Sequence, residues 1–164
     1  MKDEPHDQAV EGAFQAHEEC LEHALQLICG ARRELIIQAP TLDARLFSDG
    51  RLVEAIKHLA LNARASSIRM LIQNDTRLAG HRALPLIQRL SSRFTLNRQD
   101  RGVEFQPGVI WIADGRHYLY RKEERRFEGL SDLSHPQRAR RLRDGFEELW
   151  SQSHPDPESR RLMI

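Results

Sequence analysis

Side chains able to do chemistry are thinly scattered along this chain. Asp75 follows the apolar run IRMLIQ (68–73), and His81 lies six residues further on, just after Gly80. An acid immediately past a strand end sits where open α/β sheets place ligand groups. A nearby imidazole could pair with it, as a base pairs with its orienting carboxylate, although two polar loop residues need no ligand. Arg82 and Arg121 carry planar guanidinium forks suited to a phosphate or carboxylate. Asp114 precedes Gly115, the dipeptide that a tight hairpin requires with or without a further role. Cys20 and Cys29 stand nine apart in one helical segment, which puts them on opposite faces and too far apart to bridge. No CxxC or CxxxH spacing offers a zinc site, so neither a metal nor a cofactor is expected. Walker A, GxGxxG, HExxH and GxSxG motifs are absent, as is an RxxGxG acetyl-coenzyme A loop.

The elements that must position these residues follow from hydrophobic periodicity. Val10, Phe14, Leu21, Leu25 and Ile28 predict a helix over about 7–32, ending near Gly30. ELIIQA (34–39) reads as a buried strand stopped by Pro40, and residues 40–50 as a loop. Helices are expected over about 51–63 and 80–91, with strands at 68–73 and 94–97. VIWIA (109–113), Asp114-Gly115 and residues 116–120 form the clearest hairpin. A helix over 136–152 carries the apolar stripe Ala139, Leu142, Phe146, Leu149 and Trp150. Trp111 and Trp150 are both expected to be buried. This order of strands and helices predicts an α/β fold with a mixed sheet flanked by helices.

The chain has 164 residues, 40% of them hydrophobic and 30% charged, which suits one domain and excludes wholesale disorder or a disulfide scaffold. The domain is expected to span 1–164, with an acidic leader and helix start over 1–20 and an irregular tail over 153–164. The net charge of +1 hides an asymmetry of −6 over residues 1–24 against +7 over the rest. A basic body could favour a phosphate-bearing partner, or the leader could shield it. The leader lacks the apolar core of a secretory signal, no run is long enough for a membrane span, and the expected location is cytoplasmic. Aromatic residues are only 6%, too few for base-stacking platforms, so nucleic acid is not a favoured partner.

Residues 21–114 resemble one half of the phospholipase D superfamily. LIIQAPTLD (35–43) is similar to its strand and Pro-bearing loop, and RLVEAIKHLALNARASSIRMLIQ (51–73) to its helix and following strand. The closing RFE (126–128) and RLRDGFEELW (141–150) resemble the family's Asn-x-Glu element and its terminal helix ending in Phe-x-x-x-Trp. GHR (80–82) and PDPESRRL (155–162) are similar to a bacterial branch of small, degenerate members. The resemblance implies that the signature His-x-Lys-x4-Asp strand ends at Asp114, which puts Pro107 at the nucleophile and Val109 at the lysine. Arg121-Lys122 replace the later Gly-Ser, Arg126 replaces the Asn, and only Asp114 and Glu128 survive. Glu128 could equally pair with a neighbouring arginine.

The expected function is therefore a non-catalytic phospholipase D-like domain, a binding or regulatory module for an anionic, phosphate-bearing ligand. Its cleft is expected to be lined by Asp75, His81, Arg82, Arg121 and Glu128, with Arg121 accessible and dispensable for stability. Two alternatives stand beside it. One is an enzyme with relocated phosphoryl-transfer or hydrolytic chemistry on His81 and Asp75. The other is a protein-interaction domain, such as a homodimer.

Overall fold

A computed structural model describes residues 12–62, 66–73, 77–78, 80–100, 102–104, 108–133 and 135–160. Three apolar runs build the sheet centre: β2 (Glu34–Gln38), β3 (Ser67–Ile72) and β5 (Val109–Ala113). β2 pairs parallel with β3 and antiparallel with β5, so both its edges are paired, and the buried run Leu35–Gln38 requires a layer of helices on each face. β4 (Phe94–Gln99) continues the parallel part. β6 (His117–Arg121) returns from β5 across the Asp114-Gly115 turn. With β1 (Gly12–Phe14), β7 (Gly129–Asp132) and β8 (Ser153–Pro155), the described residues form one mixed sheet ordered β1-β7-β6-β5-β2-β3-β4-β8.

Alternation along the strands sorts side chains into two layers. Leu35, Ile37, Trp111 and Leu119 join the larger core under α1 (His17–Gly30), the short α2 (Ala44–Phe47) and α3 (Gly50–Asn62). Cys20, Leu21, Ala24, Leu27 and Ile28 supply the buried stripe of α1. α4 (Ala83–Arg89) adds Ala83 and Ile87 to the same core. On the opposite face Ile36, Leu71, Ile112 and Tyr118 meet Ala139 and Phe146 of α5 (Pro136–Ser151).

Four expectations need correction. Residues 40–50 are not all loop, because Asp43 caps the one-turn helix α2 at Ala44–Phe47. Residues 12–14 are a strand rather than the start of a helix. Phe14 reaches the core by pairing beside Gly129, and Val10 lies outside the described residues. The tail is not irregular through 155, because β8 pairs with β4, and buried Asp156 then binds the Arg98 side chain and the Ser159 N–H. Trp111 is buried as expected, but Trp150 is only partly covered. It lies at the end of α5 with its ring 5.4 Å from Phe146 and the Arg69 guanidinium 5.3 Å from its centroid.

Candidate functional site

The chain leaves β2 at Gln38 and, after Pro40, runs through three residues that are each held from a different direction. Thr41 donates from its N–H and its hydroxyl to the Glu124 carboxylate, at 3.2 and 2.7 Å. The Leu42 carbonyl accepts from His81 Nε2 at 2.7 Å. Asp43 caps α2 by accepting from the Arg45 N–H at 2.8 Å, and its other oxygen lies 3.7 Å from the Arg121 guanidinium. Thr41–Asp43 is thus the hub at which His81 and Arg121 converge. Sheet geometry explains the meeting, since the end of β2, the start of β5 and the end of β6 all lie on one edge.

Arg121 is only 1% exposed. Nε donates to the Arg126 carbonyl at 3.0 Å and Nη2 to the Glu124 carbonyl, while the guanidinium stacks 4.6 Å from the centre of the Phe127 ring. Its charge is therefore used internally, to hold the turn that follows β6. The expectation of an accessible Arg121 is overturned: alternation puts it on the same face as Leu119, toward the main core. Room for its stem depends on Gly129, where an added Cβ would lie 3.0 Å from Arg121 Cγ and 2.1 Å from the Tyr120 carbonyl. Burial raises the Glu124 carboxyl above the usual range, against the lowering effect of the Thr41 hydrogen bonds. Burial also pushes the Cys20 thiol up to about 11, with Arg121 opposing and Asp43 reinforcing, so Cys20 stays protonated and inert.

His81 is equally engaged. Its Nδ1 accepts from the Ala83 N–H at 3.0 Å, so the proton must sit on Nε2, which faces the Leu42 carbonyl. An imidazole bound at both nitrogens has no lone pair free for a substrate. Arg82 is exposed beside it, and Glu128 is exposed and paired with Arg126 at 3.2 Å. Asp75 and Pro107 lie outside the described residues.

Asp114 is at the opposite end of β5. It adopts φ 55°, and its carboxylate accepts from the N–H groups of Arg32, Arg33 and Glu34 at 2.7–3.2 Å. It fixes the start of β2, as the hairpin reading allowed. Val109, the residue opposite Arg121 on β5, is 2% exposed and packs in the main core. On α5, Arg143 pairs with Glu147 at 3.7 Å, and Glu147 is held more closely by Arg69 at 2.6 Å. Thr41, Asp43 and Glu124 were not picked out from sequence.

The family described as Domain of unknown function (DUF7931) matches residues 16–162. The chain belongs to this family. No curated protein matches it by sequence. Among solved structures it is similar to Nuc from Salmonella typhimurium, a phospholipase D family member, with TM-score 0.61, 13% identity and 81% and 88% of the two chains covered. NucT from Helicobacter pylori gives TM-score 0.62 at 12% identity, covering 88% of this chain and 97% of that one. Phosphatidylserine synthase from Haemophilus influenzae Rd KW20 gives 0.56 at 14% identity, covering 89% of this chain and 38% of that one. The phospholipase D-like fold expected from the sequence is the fold of the chain.

Proposed function

We propose that this domain does not cleave phosphodiesters and serves as a binding or regulatory module for an anionic, phosphate-bearing ligand. The observation that carries this reading is the pair Val109 and Arg121. Phosphoryl transfer through a covalent intermediate needs a nucleophile and positive charge aimed at the phosphoryl oxygens. At the lysine position implied by the resemblance stands a core valine, 2% exposed, and the guanidinium opposite it is committed to Glu124, Arg126 and Asp43. Relocated chemistry on His81 is disfavoured because both ring nitrogens are bound. The anionic preference is supported on the other face of the same sheet edge. Lys122 and Arg141 are exposed there and have no acidic partner among the described residues.

The test is incubation with bis(4-nitrophenyl) phosphate. Release of nitrophenolate no faster than in buffer is the expected result. Turnover that disappears in His81→Ala would overturn the reading in favour of relocated chemistry.

A further inference from the structure

Between the sheet and α5 lies a groove of about 570 Å³, within the range of small-molecule sites. Its floor includes Ile110 and Tyr120, and its far wall includes Leu142 and Leu149. At its inner end stands Gln38, 2% exposed, whose Oε1 has no hydrogen-bond partner among the described residues. A buried amide oxygen without a partner is destabilising, and a ligand able to donate to it would remove that cost. Lys122 and Arg141 line the same groove. Glu148 lies seven residues beyond Arg141 along α5, roughly 10 Å away, so the groove has a cationic end and an acidic end.

The spacing limits what would fit. Gln38, Ile110 and Tyr120 are cross-strand neighbours on adjacent strands, so Gln38 and Tyr120 stand two strand spacings apart, roughly 9–10 Å. Lys122 follows Tyr120 by two residues on the same side. Resting on the reading of this domain as an anion-binding module, we propose that the groove binds a small organic anion with a flat heteroaromatic body. The ring lies between Tyr120 and Leu142, its polar edge meets the Gln38 amide, and its phosphate or carboxylate meets Lys122 and Arg141. One further feature agrees. Gly145 occupies the middle of α5 in a helical conformation, where glycine is unfavourable relative to alanine, and it lines the groove with no atom of the described residues within 4 Å of an added Cβ.

The experiment measures saturable fluorescence enhancement of 1-anilinonaphthalene-8-sulfonate by the intact chain, followed by competition. Stoichiometric binding is expected, weakening with salt because the cations are exposed. Gly145→Ala should leave affinity within about twofold, whereas Gly145→Trp should reduce it at least tenfold while both variants keep a cooperative melt. Lys122→Ala with Arg141→Ala should weaken binding several-fold. Uridine 5′-monophosphate and orotate separate a phosphate from a carboxylate head, and displacement by either supports the proposal. Gln38→Leu should weaken the better competitor about tenfold without changing the affinity for the dye. Displacement by laurate alone, or dye binding unchanged by Gly145→Trp, overturns the site. Neither result touches the absence of phosphodiester turnover, which is measured separately.

Discussion

Replacing Arg121 with alanine tests whether the sheet edge is closed by a buried charge. In the folded chain the guanidinium satisfies two backbone carbonyls, of Glu124 and Arg126, and faces Asp43 at 3.7 Å. Asp43 is itself only 14% exposed, so its carboxylate has little water to turn to when the arginine is removed. Hydrogen bonds from a charged donor are worth about 1.5–3 kcal/mol each, and breaking a buried pair by removing one partner costs about 3–5 kcal/mol. These overlap, because the same desolvated groups are counted in both, so the expected loss is about 3–5 kcal/mol in total. For a chain of this size each kcal/mol moves the melting temperature by about 2–4 °C, which gives a fall of roughly 6–20 °C.

Urea titration followed by far-ultraviolet circular dichroism separates this from a general loosening, since the midpoint should move while the slope stays the same. Arg121→Met keeps the apolar stem and removes the charge. It should lose nearly as much as alanine, because the unsatisfied carbonyls and Asp43 remain. Arg82→Ala is the reference, an exposed arginine of the same edge whose loss should change stability by no more than about 0.5 kcal/mol. A cost below about 1 kcal/mol for Arg121→Ala would refute the argument, for then the guanidinium cannot be holding the 122–127 turn against the end of β2.

Gly129→Ala should be more damaging than its single methyl suggests, by about 3 kcal/mol or more, because the new Cβ would lie 2.1 Å from a backbone carbonyl that can move only if β6 and β7 part. Expression in the soluble fraction and the thermal midpoint would show it, and a wild-type melt would sink the close-approach reading. His23, buried against Phe14 and bonded through Nδ1 to the Ser131 hydroxyl, has its pKa lowered from 6.5, chiefly by burial, while Glu19 and Glu22 pull the other way. A lowered histidine favours the neutral form on folding, so its contribution is complete above about pH 6.5 and is lost as pH falls through that value toward the folded pKa. Denaturation midpoints from pH 7.5 to 5 should fall less steeply in His23→Gln than in the wild type, and parallel curves would contradict the assignment.

Apolar runs and apolar stripes made most of the fold legible. ELIIQ and VIWIA are strands because their residues can be buried on both faces, and α5 is a helix because Ala139 and Phe146 recur on one side. What escaped were the short helix α2 and three strands of three or four residues, β1 and β8 at the sheet edges and β7 beside β1. A run that short has no measurable period, and GLSD or SHP pairs because a neighbouring strand offers open backbone groups, not because its side chains call for a strand. The position of Gly129 beneath the Tyr120 carbonyl is a fact of pairing that no local pattern encodes.

The site was partly legible as well, and Arg121 shows where the reading failed. Arginine is rarely buried, so a charged residue ending a strand is taken as surface. Yet the alternation in HYLYR puts Arg121 in step with Leu119 and opposite Val109, and both of those belong to the main core. Followed strictly, that two-residue period obliges the guanidinium to find partners inside. Asp43, preceding the short helix ARLF, has the sequence of a helix cap and is the nearest acid of the preceding loop. The carbonyls of 124 and 126 could not have been anticipated, because they depend on a turn whose shape the arginine itself fixes. A charge directed inward by strand periodicity therefore implies a buried network before it implies a ligand, and the proposed anion site takes its cations from the other face, beginning with Lys122.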